Sequence, residues 1–105
     1  MPPDCVLAHE AISDLGLIWD YDAEHANVRV ADEVLRRLHA TFVRTIAQRP
    51  RAGRLRLELG DHIYSFPVIP YVVYYEVDGR RVRILRILHG HRDIREPLMS
   101  LLAVG

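Results

Sequence analysis

The sequence of 105 residues predicts one α+β domain, in which a helical hairpin packs on one face of a mainly antiparallel sheet. Two observations carry this prediction. Apolar residues recur at spacings of three and four up to Ile46, and they alternate with polar residues after Gly53. The length suffices for one hydrophobic core but not for two, so residues 1–105 are expected to form a single domain.

The first half of the chain predicts a short strand over residues 5–8 and then two helices. The first helix begins at His9, and its apolar face carries Ile12, Leu15, Ile18 and Trp19. Asn27 is expected to cap the second helix, because its side chain can accept a hydrogen bond from a free backbone N–H. The buried face of that helix is expected to carry Ala31, Val34, Leu35, Leu38, Phe42 and Ile46. Proline and glycine in QRPRAG end it, and the two helices should form an antiparallel hairpin.

The second half predicts four strands and a short final helix. The strands are RLRLEL, HIYSFPV, YVVYYEV and RVRILRIL, and Asp78-Gly79 is the strongest hairpin signal between them. Alternation assigns Val82, Ile84, Arg86 and Leu88 to one face of the last strand, and Arg83, Leu85, Ile87 and His89 to the other. A short C-terminal helix is expected over Glu96 to Ala103, with Pro97 in its first turn.

Composition limits the compartment and the cofactors. Half of the residues are apolar, yet no apolar run is long enough to span a membrane, so no membrane association is expected. The start, MPPDCVLAHE, has no basic region before a hydrophobic segment, and this argues against export. Cys5 is the only cysteine, which excludes an internal disulfide and favours the cytoplasm. We expect no cofactor.

Charge is distributed unevenly along the chain. The formal net charge is zero, which argues against direct nucleic-acid specificity. Residues 1–35 nevertheless carry a net charge of −7, and residues 36–105 carry +7. This asymmetry can either create a dipolar surface suited to charged partners or be neutralised within the fold.

The stretch ILHGHRDI places two histidines, an arginine and an aspartate at the end of the last strand. His89 and His91 could bind zinc with Asp93 or His62, but the chain has no CxxC or HExxH motif, and we predict no metal site. A histidine base with Arg92 as a phosphate clamp is a catalytic alternative. The sequence favours an architectural role, in which Arg92 and Asp93 tie the C-terminal segment to the sheet. Contact with a partner is the remaining alternative.

Several separated stretches match one known pattern in the same order. In the first helix the pattern falls on Ala11, Asp14-Leu15, Ile18-Trp19 and Tyr21. It continues as RPRAGRLR, YSFPVIPYVVYYEV and ILRILHGHRDI. From about residue 5 to residue 102 the chain resembles the RelE/ParE superfamily of bacterial type II toxins, and its ParE branch in particular.

The resemblance implies a toxin that inhibits DNA gyrase by binding, and a cognate antitoxin, encoded beside it, that neutralises it. One alternative is a RelE-like endoribonuclease that cuts messenger RNA on the ribosome. Ser65, Val72 and Leu98 stand where that reaction would need basic groups and a C-terminal tyrosine, and Arg92 alone aligns with the basic set. No catalytic residue is therefore predicted. A second alternative is a relative that binds antitoxin without being toxic.

Seven residues are candidates for contact with a partner: Trp19, Tyr64, Tyr75, Arg83, Arg86, His91 and Arg92. Tyr64 stands where members of the family commonly carry an arginine. Arg83 and Arg86 occupy opposite faces of the predicted strand, so one of them needs a partner if it is covered. An acidic segment of the antitoxin could supply that partner, as a helix in a groove or a strand at the sheet edge.

Overall fold

A computed structural model describes residues 5–91 of the chain. Within these residues the chain forms two helices and five strands. In chain order they are β1 (Cys5–Leu7), α1 (His9–His25), α2 (Val28–Ala40), β2 (Arg54–Leu55), β3 (Ile63–Val68), β4 (Tyr71–Asp78) and β5 (Arg81–His89). Helix α2 continues into a π-helical segment at Thr41–Ile46, and a short 3₁₀ turn follows at Pro50–Ala52. The helix predicted over Glu96 to Ala103 lies outside the described residues.

The five strands form one sheet in the order β1-β5-β4-β3-β2. Strand β1 pairs with β5 in parallel, and the other three pairings are antiparallel. The helical hairpin lies on one face of this sheet, and α1 contacts β5 directly. The predicted α+β class, with a helical hairpin on a mainly antiparallel sheet, is therefore confirmed.

Helix α2 begins and packs as its sequence predicts. The side chain of Asn27 accepts a hydrogen bond from the N–H of Val30 at 2.9 Å, which is the geometry of an N-cap. Ala31, Leu38, Phe42 and Ile46 are buried. Leu38, Phe42 and Ile46 pack in the main core with side chains of the sheet that include Val73, Tyr75, Ile84 and Ile87.

Loss of the Asn27 cap provides a local test of helix stability. Asn27→Ala is expected to lower the free energy of unfolding by about 1 kcal/mol, because an N–H at the start of α2 loses its acceptor. Urea denaturation followed by circular dichroism measures this change. Asn27→Asp retains an acceptor and should stay close to wild type, so an equal loss in both variants would contradict the assignment.

The region between β2 and β3 corrects one predicted strand. Only Arg54–Leu55 of RLRLEL pairs with β3, and the chain then turns. The carbonyl of Arg56 accepts hydrogen bonds from the N–H groups of Leu59 and Gly60, which closes the turn. The alternating pattern failed here because local turn hydrogen bonds replace the sheet pairing.

The β4–β5 hairpin confirms the predicted turn with a shift of one residue. Asp78 is the last residue of β4, and Gly79 is the first residue of the two-residue loop. Gly79 has a φ of 62°, and in the described chain only glycines have a positive φ. A positive φ at the first loop position alone is typical of a type II′ turn.

A bulge in β5 overturns the predicted assignment of its faces. Tyr75 pairs with Ile84 but Tyr74 pairs with Arg86, so Leu85 is an extra residue in the ladder. Val82, Ile84 and Ile87 therefore share the core on the helix side, while Leu85 and Leu88 belong to a second cluster with Leu59, Ile63 and Tyr74. One inserted residue is sufficient to reverse a period of two.

Candidate functional site

A buried ion pair joins α1 to β5. The carboxylate of Asp14 accepts hydrogen bonds from Nε and Nη2 of Arg86 at 2.8 and 3.0 Å, and from the backbone N–H of Ile87 at 2.9 Å. Strand β1 pairs with β5 only as far as Ile84, so this carboxylate satisfies a strand N–H beyond the end of that pairing. The hydrogen bond to Asp14 raises the pKa of Arg86 above its usual value. The pair fixes α1 against the edge of β5.

An open groove begins beside this pair and runs between α1 and the β3–β4 turn. Its volume is about 480 Å³. The side chains that line it are mostly apolar and come from three elements: Asp14, Leu17, Ile18, Tyr21 and Asp22 of α1, Pro70 and Tyr71 around the start of β4, and Ile87, Leu88 and His89 of β5. Leu17 and Tyr21 are 67% and 59% exposed, and the neighbouring Ile69 is 78% exposed. Large apolar side chains this exposed, gathered around a groove, are typical of a surface that binds another molecule.

Asp22 is the unusual group in the groove. Its Oδ2 atom is buried, and in the described part of the chain it has no hydrogen-bond partner. Tyr71 lies on the opposite wall. Burial raises the pKa of its hydroxyl, and the negative charge of Asp22 raises it further. A buried carboxylate oxygen without a donor is energetically costly, so this position invites a positively charged group.

A ring stack borders the groove at the end of β5. The rings of His89 and His91 stack with centroids 5.2 Å apart, and Tyr71 meets His89 edge-on at 6.1 Å. The N–H of Gly90 donates to the carbonyl of Pro70 at 2.9 Å, which holds this strand end against the β3–β4 turn. Within residues 5–91 no three histidine, cysteine or acidic side chains are placed to hold a metal ion. Asp93 lies outside the described residues.

Two of the predicted partner-contact residues have hydrogen-bond partners within the chain. Tyr75 is fully buried, and its hydroxyl accepts a hydrogen bond from the N–H of Gly53 at 3.0 Å. Burial raises the pKa of this hydroxyl. Arg86 is paired with Asp14, so its charge needs no external acid. The burial of Tyr75 corrects its prediction, which alternation alone could not avoid because it does not reveal which face is covered. Contact of the partly buried Arg86 with a partner stays a prediction.

The other described candidates lie in four different places. Trp19 donates from Nε1 to Asp32 at 2.9 Å and so links the two helices. Tyr64 is half-buried on β3 and stacks on Tyr75. Arg83 is half-buried on β5, with an Nε that lacks a hydrogen-bond partner in the described chain. His91 is exposed beside the groove, and Arg92 falls outside the described residues. Their contacts with a partner stay predictions.

Sequence reasoning missed the groove itself. Leu17 and Tyr21 lie off the predicted apolar face of α1, yet they are four residues apart and so share a side of the helix. This i,i+4 apolar pair beside Asp14 and Asp22 was the available signal. Its significance depended on the β3–β4 turn, which the sequence did not place opposite the helix.

The two strand positions considered for ribonuclease chemistry carry no charge. Ser65 is buried, and its hydroxyl accepts a hydrogen bond from Arg56 at 3.3 Å. Val72 packs against the second hydrophobic cluster of the sheet. Arg56 is also engaged with Glu58 at 3.0 Å and lies over the ring of Tyr74. The basic group that donates to Ser65 is therefore held by internal contacts.

Comparison with known proteins agrees with the fold and indicates the family of the chain. A family model described as "ParE toxin of type II toxin-antitoxin system, parDE" matches residues 6–94. Toxin ParE3 of Caulobacter vibrioides is 36% identical over 85 residues, which cover 81% of this chain and 84% of that protein. A solved structure, "Chromosomal ParDE TA system from P. aeruginosa", superposes with a TM-score of 0.68 at 19% identity, covering 82% of this chain and 94% of that chain.

The fold and these matches define a toxin domain of the RelE/ParE superfamily. The family match spans nearly all of the helical hairpin and the sheet, and the curated relative is similar over most of its own length. The chain belongs to the ParE toxin family of type II toxin–antitoxin systems. Within residues 5–91 no helix is both long and apolar enough to cross a membrane.

Proposed function

We propose that this chain is a toxin that inhibits DNA gyrase by binding it, and that a cognate antitoxin, encoded in the adjacent gene, neutralises it by forming a tight complex. The observation that carries this proposal is the family match over residues 6–94. Gyrase acts on the bacterial chromosome, so the proposed place of action is the cytoplasm.

The exposed apolar side chains around the groove support a function in binding other proteins. Exposed leucine, isoleucine and tyrosine side chains surround the groove, and such residues stabilise a complex when a partner removes them from water. Each large apolar side chain that becomes fully buried contributes roughly 1.5–3 kcal/mol before the costs of association. An ordered antitoxin that covers this surface could therefore bind tightly.

Binding to gyrase is tested by controlled expression together with an assay of purified enzyme. Induction in a bacterium that carries a DNA-damage reporter is expected to reduce viable counts and to induce the reporter. The purified chain is expected to inhibit supercoiling by gyrase, and stoichiometric antitoxin is expected to restore it.

Two results would contradict the proposal. Growth arrest with a silent reporter and uninhibited supercoiling would exclude gyrase as the target. Discrete cleavages within codons of translated messages would then establish the ribosomal alternative. A chain that binds antitoxin but affects neither growth nor gyrase would instead be a non-toxic relative.

A further inference from the structure

The groove between α1 and the β3–β4 turn contains a charge that the described chain does not neutralise. Asp14 and Asp22 both line it, eight residues apart on α1. Asp14 is satisfied by Arg86 and by the backbone of Ile87. Asp22 has a buried oxygen that accepts no hydrogen bond within residues 5–91.

The described surroundings of Asp22 provide no positive partner for its buried oxygen. Asp20 and Glu24 are exposed acids of the same helix, and neither lines the groove. The described cation at the β3–β4 turn is Arg37, and its Nη2 donates to the carbonyl of Ile69 at 2.8 Å. The wall opposite Asp22 is formed by Pro70 and Tyr71, neither of which carries a positive charge.

From this charge complementarity we infer that the groove receives an apolar segment of the antitoxin that carries an arginine or lysine, and that this cation pairs with Asp22. Leu17, Tyr21 and Ile69 would cover the apolar side chains that flank the cation. The inference rests on the proposed function, because it names the chemistry of the antitoxin segment and the place where it binds.

A protein segment fits this groove better than a small ion does. One unpaired carboxylate is too few ligands for a metal ion, which needs several oxygen or nitrogen donors. A guanidinium or ammonium at the end of an alkyl chain matches a carboxylate that lines a mostly apolar groove, because the alkyl part can pack on leucine and tyrosine. The groove volume of about 480 Å³ is large enough for several side chains.

At the groove the inference assigns the antitoxin a charge opposite to the one expected of it at the arginines of β5. An acidic antitoxin segment was expected to pair with Arg83 or Arg86 on β5. Arg86 already has Asp14, whereas the Nε of Arg83 has no hydrogen-bond partner in the described chain, so the expected acidic contact stays a prediction for Arg83. In the groove the group without a partner is the carboxylate of Asp22 on α1, so at this position the partner must contribute the positive charge. An acidic side chain placed in the groove would be repelled by Asp22.

The test measures the affinity of the full chain for the antitoxin from the adjacent reading frame. Asp22→Asn is expected to weaken binding roughly 30-fold or more, because the antitoxin cation would lose its counter-charge in a desolvated site. Asp20→Asn removes an exposed acid of the same helix and should change the affinity less than about 3-fold. Circular dichroism melts establish that both variants are folded.

An apolar pair of variants tests the same surface without altering a buried group. Leu17→Ser should weaken binding roughly 10-fold. Ile12→Ser makes the same kind of change at an exposed residue outside the groove and should leave the affinity unchanged. A double-mutant cycle then combines Asp22→Asn with replacement of each antitoxin arginine or lysine by methionine. For one of these antitoxin residues, replacement by methionine should weaken binding to the wild-type chain but should not weaken binding further to Asp22→Asn.

The outcomes separate the inference from the function on which it depends. If the wild-type chain does not bind the antitoxin, the proposed function fails. If binding is tight but Asp22→Asn and Leu17→Ser match wild type, or no antitoxin cation couples to Asp22, the inference is overturned while the function stands. If the free chain dimerises and Leu17→Ser is monomeric, the groove belongs to a second copy, which also overturns the inference.

Discussion

Asp14→Ala is expected to lower the free energy of unfolding by about 3–5 kcal/mol, because it leaves the guanidinium of Arg86 largely covered and without its counter-charge. The same change removes the acceptor of the Ile87 N–H, which is buried at the edge of β5. A domain of this size is stable by roughly 5–15 kcal/mol, so the loss is a large part of the total. The melting temperature should fall by about 15 °C or more.

Three further variants separate the buried pair from the loss of a negative charge. Asp20→Ala removes an exposed acid from the same helix and should change stability by less than about 0.5 kcal/mol. Asp14→Asn keeps one carbonyl oxygen and should fall between wild type and Asp14→Ala. Replacing both Asp14 and Arg86 by leucine should cost less than Asp14→Ala alone, since no charge is then left unpaired. Equal melting temperatures for Asp14→Ala and Asp20→Ala would contradict the assignment.

The elements of the fold that depend on local pattern were predictable from the sequence. Helix α2 is one example: Asn27 begins it, and Leu38, Phe42 and Ile46 are buried in the core as their spacing indicates. A capping side chain and a helical period act within a few residues, so neither depends on what the distant chain does. The same is true of Gly79, whose backbone freedom permits the β4–β5 turn.

Features that depend on the register of the sheet were not predictable in this way. The extra residue at Leu85 shifts every later residue of β5 relative to β4, and nothing in the alternation of RVRILRIL reveals it. The bulge lies where α1 packs against β5. There Asp14 accepts a hydrogen bond from the N–H of Ile87, beyond the last residue of β5 that pairs with β1. Such an arrangement depends on tertiary contacts.

The candidate site was harder to predict because its parts are far apart in the chain. One of Arg83 and Arg86 was expected to need a partner, but the sequence did not show which, and Asp14, which pairs with Arg86, is 72 residues away. Asp22 has the same residue type and lies on the same helix, yet its buried oxygen has no partner in the described chain. Two aspartates of one helix thus have opposite roles, and only the packing of α1 against β5 and the β3–β4 turn distinguishes them.

Gly53→Ala is expected to destabilise the chain by about 1–3 kcal/mol through overpacking, although Gly53 lies in an extended conformation that any residue can adopt. A Cβ atom at this position would lie 2.6 Å from the backbone carbonyl oxygen of Ser65 and would also collide with the hydroxyl of Tyr75. The hydroxyl is held by its hydrogen bond from the N–H of Gly53, so it cannot move without losing that bond. Urea denaturation measures the loss.

Gly16→Ala provides the matched control, because the same methyl group would meet no atom within 4 Å there. Gly16 is exposed in the middle of α1, where alanine should stabilise the helix by up to about 1 kcal/mol. Opposite signs for the two glycines are therefore expected. Tyr75→Phe in the Gly53→Ala background should recover part of the loss by removing one of the two collisions, while the contact with the Ser65 carbonyl remains. If Gly53→Ala were as stable as wild type, the close packing of the segment after the helical hairpin against β3 and β4 would be wrong.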